Sequence, residues 1–488
     1  MGIILKKNIS GLFLTTVLIV NSCSAFSLPA RAEESLGAIT INDVNIEELF
    51  YKKHLNTEYN PIKLEASLTE PIDVTVEDVM AKAIENNLNL KIAKQNSREA
   101  RWNFWNKFGD LLPDLSLTLA KQKRDGTFYL NSSFQAPIDE TIASAGLRLN
   151  YRAFSGGTPT FLALSERYMK QAADAKEQSQ YNQTLLDSLT FYINLLNAQA
   201  SLSSNLKSLE RAKANYDLAE KLLNGGKGTK FEVLQADARL AKAQQELISQ
   251  EAQFRIAEID LSEHLNINLN SALHIADEEI KTISLIDESV EIEEYIKTAF
   301  RNNPDIKAVI KNKEAVSRKS WSTLGAFLPS LDLYLDITGS GFEVSDLFRV
   351  TSLGFDLKYD IGQGLGVNAV SKSMASRAEL NRAELQYLQE LIRIEKELRS
   401  SYLNYQASKS LLEATQKEYI ASKEAYRLSQ LRYKNGIEIL ANMLDREADL
   451  KQSQLNLIKS ASDYNLNQVK LVYNMGTINT KQILESGF

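Results

Sequence analysis

The chain has 488 residues, of which 44% are hydrophobic and 24% charged, enough for a large folded body. Its formal net charge of -6 argues against nucleic acid as a partner. Three histidines and one cysteine are too few for a disulfide framework or a Cys/His metal cluster, so we expect neither a metal nor a cofactor.

Residues 1–32 have the pattern of a secretory signal. Lys6 and Lys7 precede a mostly apolar stretch, 9–20, and small residues follow. We expect cleavage after the A-x-A motif that ends at Ala32, and the alternative is a loose lipobox in which Cys23 becomes a lipidated first residue. Both alternatives take the protein out of the cytoplasm. Residues 33–72 form an N-terminal extension that has no counterpart later in the chain.

The rest of the chain carries one sequence unit twice. WNKFGDLLPDLSL (105–117) is repeated as WSTLGAFLPSLDL (321–333), and GLRLNYRAFSG (146–156) is repeated as GFDLKYDIGQG (354–364). The first copy holds eight extra residues between these two motifs. Further along, Gly226 corresponds to Gly436. We therefore predict two structural repeats, 73–285 and 286–488.

Long helices are predicted in both repeats, because helix-breaking residues are absent from long stretches of the chain. No proline lies between Pro159 and Pro304, and neither glycine nor proline lies between Gly366 and Gly436. A helix of about seventy residues would be about 100 Å long. In the second repeat, large side chains recur every seven residues, which is the spacing of a left-handed coiled coil: Leu391, Leu398, Tyr405, Leu412, Tyr419, Tyr426 and Tyr433. Each repeat should form an antiparallel helical hairpin.

Strands are predicted where Pro113 and Pro329 end the preceding helix. Apolar residues then alternate with mostly polar ones, a period-two pattern typical of strands with one apolar face, including lipid-facing strands. The apolar positions are Leu115, Leu117, Leu119, Leu147, Leu149, Tyr151, Leu331, Leu333, Leu335, Leu353, Phe355, Leu357 and Tyr359. Four strands cannot close a barrel, and an open edge in lipid leaves backbone groups unpaired. A barrel would therefore have to be shared between chains.

The doubled helix-strand-strand-helix unit resembles the TolC family of outer-membrane efflux and secretion channels. The resemblance also rests on NNPDIK (302–307), the LLPDLSL and FLPSLDL turns, and RYKNG (432–436). It implies an α+β membrane channel in the outer membrane, extending into the periplasm. Long antiparallel α-helical coiled coils form its helical barrel, and the four transmembrane β-strands of each chain form a shared trimeric β-barrel.

The same resemblance implies the function of a passive exit duct, with no enzymatic activity. Such a duct serves a tripartite efflux pump or a type I secretion system and exports small molecules or proteins. The implied partners are two further copies of the chain in a homotrimer, a periplasmic adaptor protein, an inner-membrane pump and outer-membrane lipid. The heptads by themselves also allow a non-channel periplasmic or surface-attached coiled-coil scaffold, and that alternative stays open here.

Particular residues near the two helix turns acquire roles from the resemblance. Family members place acidic residues just after the second turn as a ring at the constriction, and hydrogen bonds between the helix pairs hold the mouth shut. A family arginine in these closing contacts falls on Glu438, which reverses its charge. The implied positions are the adaptor-contacting turns at Gly226 and Gly436, the aperture residues Asn442 and Asp445, and the gate contacts Tyr433, Glu232 and Glu438. No catalytic residue is expected.

Overall fold

The structure is a computed structural model that describes residues 72–131, 134–275, 280–287, 289–343, 346–360 and 366–486. These residues all belong to one compact unit, Glu65–Phe488. The predicted signal sequence, nearly all of the N-terminal extension and the lipidation candidate Cys23 lie outside the described residues. Of the helices in the described ranges, none has both the length and the apolar character needed to cross a membrane.

The described elements follow one order twice: short helices, a strand pair, then two long helices. The first set is β1 (Ile72–Asp73), α1 (Val76–Asn86), α2 (Leu88–Gly109), β2 (Asp114–Asn131), β3 (Phe134–Ser155), α3 (Thr158–Asn224), α4 (Lys230–His264) and β4 (Leu273–His274). The second set is α5 (Ile292–Asn302), α6 (Pro304–Thr323), a 3-10 turn (Leu324–Phe327), β5 (Ser330–Gly341), β6 (Phe348–Lys358), α7 (Val367–Lys434), α8 (Leu440–Asn474) and α9 (Thr480–Glu485).

The predicted long helices are confirmed. Helix α3 has 67 residues and α7 has 68, and each returns through a 35-residue helix, α4 or α8. Every position of the heptad stripe on α7 is buried or half-buried, as the coiled-coil pattern requires. Helix α3 begins after Gly157, whose φ of +76° suits glycine, and Pro159 occupies the first turn, where it costs no hydrogen bond.

The main core lies where the short helices pack against the middle of the long ones. The amphipathic helix α1 starts at a capping box in which Thr75 Oγ1 accepts from Asp78 N at 3.2 Å. Strands β1 and β4 pair in parallel and tie the start of the first repeat to its end. The core side chains include Val79, Met80, Ala83, Leu185, Leu189, Leu195, Leu261, Leu265, Leu398, Val469, Leu471 and Ile483.

The four longer strands form one antiparallel sheet in the order β2-β3-β5-β6. Its register brings the predicted apolar positions into one face, because Leu115 pairs with Leu149, Leu149 with Leu335 and Leu335 with Leu353. The first hairpin is longer than the second: β3 pairs with β5 only as far as Ala143, and β2 and β3 continue beyond that point as a two-stranded ribbon. The eight extra residues of the first copy lengthen this hairpin.

The two repeats share a polar joint between the short and the long helices. Asn87 Nδ2 donates to the carbonyl of His264 at 3.1 Å, and Asn303 Nδ2 donates to the carbonyl of Asn474 at 3.2 Å. The side chains of the two accepting residues differ, because only the first joint holds an imidazole. The Nε2 atom of that His264 ring lies 2.9 Å from Ser188 Oγ. Burial lowers the pKa of His264, and the nearby Asp187 carboxylate opposes that shift.

We expect the His264→Asn variant to lose less stability in mild acid than the parent protein. A buried imidazole with a lowered pKa binds fewer protons in the folded than in the unfolded state, where its pKa is about 6.5. The parent should therefore lose stability as the pH falls from 7 towards 5, and the variant, which copies Asn474, should lose less. Melting temperatures measured across that range test this, with the exposed His274→Asn as control. Identical profiles for the parent and His264→Asn would contradict it.

Candidate functional site

Both long hairpins turn where the sequence predicts, at glycines with left-handed backbone. Gly226 has a φ of +70° and Gly436 a φ of +71°. A Cβ atom added at either position would meet nothing within 4 Å, so the backbone conformation, rather than a lack of space, selects glycine. The two turns thereby form the exposed tips of the hairpins.

Two of the predicted gate residues lie close together just behind these tips. The Glu232 carboxylate caps α4, accepting from Thr229 N at 2.8 Å and from Thr229 Oγ1 at 3.1 Å. Tyr433 is only 5% exposed, and burial raises the pKa of its hydroxyl, with a further contribution from the charge of Glu232. No hydrogen bond between Tyr433 and Glu232 occurs in the described part of the chain, so the carboxylate serves its own helix.

The other predicted residues lie on the second hairpin. Glu438 forms an ion pair with Arg432 at 3.5 Å, so its reversed charge is balanced within its own hairpin. The exposed Asn442 and Asp445 lie on the first turns of α8. The Asp445 side chain is 65% exposed and reaches Arg239 of α4 at 3.4 Å. The structure therefore brings Tyr433 towards Glu232 and Asp445 towards Arg239. Glu438 instead forms its ion pair with Arg432.

An apolar cluster holds the two hairpins together near their tips. Tyr433 and Tyr426 of α7 pack with Leu440 and Met443 of α8, and the small Ala219 and Ala236 of the first hairpin lie against them. Small side chains let the helices approach closely. Close approach near the tips keeps the exposed turns of one chain side by side.

A buried polar network, which the sequence analysis missed, crosses between the hairpins further up. Glu447 of α8 is 7% exposed and accepts from Asn215 Nδ2 of α3 at 2.8 Å. Arg211 of α3 lies 3.8 Å from the same carboxylate. Burial raises the pKa of Glu447, and the charge of Arg211 opposes the shift.

A signal for this network is present in the sequence. Leu440, Leu444, Glu447 and Leu450 follow one another at spacings of three or four residues, which places a carboxylate on the apolar side of α8. The same face carries Lys451, which forms an ion pair with Glu246 of α4. A charged residue inside an apolar stripe indicates either a partner across the interface or an unstable helix.

The opposite end of the molecule carries a polar sheet face. Arg148 forms a two-pronged ion pair with Asp336, with Nε–Oδ1 at 2.5 Å and Nη2–Oδ2 at 2.7 Å. Arg152 lies 3.2 Å from Asp332, and Lys358 lies 3.7 Å from Asp356. The charges on this face compensate one another. The sheet therefore has one charged, hydrated face and one apolar face.

A sheet with one apolar and one charged face, joined to long helical hairpins, has the two surfaces that a membrane protein built on β-strands needs, one for lipid and one for water. The model of a protein family described as "Outer membrane efflux protein" matches residues 79–266 and 295–477 of this chain. Because the match covers most of the chain, the chain belongs to the outer membrane efflux protein family, and its predicted place in the outer membrane is confirmed.

Individual relatives are distant. Nodulation protein T of Rhizobium leguminosarum bv. trifolii is 22% identical over 283 residues, 57% of this chain, and the aligned part spans only 60% of that protein. The structure of VceC from Vibrio cholerae is 18% identical, and the alignment covers 82% of this chain and 96% of the VceC chain, with a TM-score of 0.73. The CmeC channel of Campylobacter jejuni is 16% identical, and the alignment covers 84% of this chain and 88% of the CmeC chain, with a TM-score of 0.74. These likenesses confirm the predicted fold.

Proposed function

We propose that three copies of this chain form an exit duct through the outer membrane. Each copy would contribute four strands to a twelve-stranded barrel, and the long helices would continue it into the periplasm. The observation that carries the proposal is the sheet itself: its apolar face is exposed in the single chain, Leu117 at 71% and Leu353 at 82%, while its other face is charged. Lipid outside and water inside account for both faces.

The duct would work as a passive part of a tripartite efflux pump or a type I secretion system. Small molecules or proteins would pass through it, and an inner-membrane pump would supply the energy. A periplasmic adaptor would contact the turns at Gly226 and Gly436, which are exposed tips of the hairpins. A coiled-coil scaffold without a pore accounts for the helices but leaves the apolar sheet face unexplained. The repeats 73–285 and 286–488 would each form half of a protomer's wall.

The hairpin tips would converge into the closed mouth of the duct. The exposed Asp445 would form a ring of three carboxylates there, with Asn442 as its uncharged neighbour. Tyr433 and Glu232 would hold the mouth shut through packing and helix capping rather than through a direct bond. Glu438, already paired with Arg432, would stabilise its own turn.

A direct test of the proposed function is conductance. Purified protein added to planar lipid bilayers should insert as a trimer and form discrete channels. A strain lacking the gene should lose export of at least one substrate and regain it on complementation. Protein that is washed from membranes by high salt and gives no channels would support the scaffold instead.

We expect Asp445→Ala to weaken the preference for cations and the block by multivalent cations. Each trimer would lose three exposed carboxylates at its narrowest point, where fixed charge concentrates counter-ions. The control is Asp217→Ala, which removes an exposed carboxylate from α3 near the first turn. Bilayer reversal potentials in a salt gradient measure the selectivity. Equal potentials for the parent and Asp445→Ala would place this residue away from the aperture.

A further inference from the structure

The sheet of a single chain has two free edges, one on β2 and one on β6. Unpaired backbone groups at such edges cost several kcal/mol each in lipid. If the chain is a protomer of the proposed trimeric duct, on which the following inference rests, β6 of one copy must pair with β2 of the next. What remains to be derived is which residues face each other across that seam.

The two hairpins of the chain correspond residue by residue. Leu115 of β2 faces Leu149 of β3, and Leu331 of β5 faces Leu357 of β6. Leu115 and Leu331 hold the same place in the first doubled motif, and Leu149 and Leu357 hold the same place in the second. The register inside each repeat is therefore the same, with the extra residues confined to the ribbon.

The chain also contains one seam between repeats, in which Leu149 of β3 faces Leu335 of β5. In the second doubled motif, Leu149 corresponds to Leu357 of β6. Leu335 corresponds to Leu119 of β2, because each lies two residues beyond its copy of the first doubled motif. We propose that the seam between chains repeats the seam within the chain, so that Leu357 faces the partner's Leu119. The partner recognised by this edge is thus a second copy of this chain, held in one defined register.

Charges at the far end of the sheet agree with this register. Within the chain Asp125 lies directly opposite Asp139, and Lys123, two residues along β2, forms an ion pair with Asp139 at 3.2 Å. Asp125 and Arg349 are both exposed, and neither forms an ion pair in the described part of the chain. The proposed register puts Thr351 opposite the partner's Asp125 and so puts Arg349 diagonal to it. Lys123 and Asp139 show that such a diagonal reaches ion-pairing distance.

The helix ends next to the sheet also support this register. Gly325 touches Gly156 and Thr158 so closely that an added Cβ would lie 2.0 Å from Thr158 Oγ1. Its counterpart in the first repeat, Gly109, has nothing within 4 Å. Gly366 begins α7 with a φ of +88°, as Gly157 begins α3. The start of the partner's α7 therefore fits the open space at Gly109.

Cysteine pairs test the register directly. Under oxidation, Leu119→Cys/Leu357→Cys should link three chains into a covalent trimer on a denaturing gel. The matched control is Leu149→Cys/Leu335→Cys, the equivalent pair within one chain, which should form a disulfide without joining chains. Each single-cysteine variant is run alongside, because the chain carries Cys23. Leu117→Cys/Leu357→Cys, displaced by one pleat, should cross-link much less.

Each outcome has a distinct meaning. The register would be overturned if the displaced pair cross-linked in place of Leu119→Cys/Leu357→Cys. The trimeric duct would still stand in that case, and bilayer conductance of the same samples would show it. Normal channels with no cross-link at any facing position of β2 and β6 would overturn the seam itself. Arg349→Asp should lower the heat resistance of the trimer, and adding Asp125→Arg should restore it. No recovery in the double variant would rule out the ion pair.

Discussion

Replacement of Phe355 by arginine is expected to prevent assembly of the protein in the outer membrane. Phe355 lies on the apolar face of β6, opposite Leu333, and is 68% exposed in the single chain. A charged side chain in the middle of a lipid-facing strand costs about 2 to 4 kcal/mol, and a trimer would bear that cost three times. The amount of heat-resistant trimer in the outer-membrane fraction is the measurement.

The control uses the same strand and the same new side chain. Ser352 lies on the charged face of β6, opposite Asp336, so Ser352→Arg would put its guanidinium among carboxylates and water. Normal trimer levels are expected for Ser352→Arg. Equal trimer levels for both variants would show that the apolar face does not meet lipid, and failure of Ser352→Arg alone would reverse the assignment of the faces.

Replacement of Glu447 by alanine is expected to loosen the contact between the two hairpins and to favour the open mouth of the proposed duct. Removing one partner of a buried ion pair leaves the other charge uncompensated, at about 3 to 5 kcal/mol. We expect the low end of this range, because the Arg211 side chain keeps 23% of its surface exposed. The hydrogen bond from Asn215 would also be lost. Single-channel conductance should rise, and the melting temperature should fall.

Two further variants distinguish the effect of breaking the network from the effect of losing one carboxylate charge. Asp237→Ala removes an exposed carboxylate from the equivalent position of α4 and should leave both measurements unchanged. Arg211→Met/Glu447→Leu replaces the whole buried pair by apolar groups and should recover most of the lost stability. An unaltered melting temperature and conductance in Glu447→Ala would mean that this network carries none of the contact between the hairpins.

Much of the fold was predictable because its causes are local. The long stretch without glycine or proline between Gly366 and Gly436 permits one helix, and the heptad spacing assigns its buried side. Period-two alternation around Leu333 and Phe355 assigns the two sheet faces without reference to any neighbour. The doubled motifs also carried the strand register, since positions that correspond between the motifs also correspond in the strand pairing.

The candidate site was less predictable, because its contacts either depend on how a turn folds or join residues far apart in the chain. Glu438 could be identified as a reversed charge, but its pairing with Arg432 depends on how the turn folds back. The partners of Glu447, Asn215 and Arg211, lie in the other repeat, and no local pattern links them to it. Sequence by itself determined the helices, the turns and the sheet faces, because these follow from backbone preference and side-chain periodicity. Only the tertiary structure decided which charges are buried together, because burial and pairing depend on how the two hairpins pack.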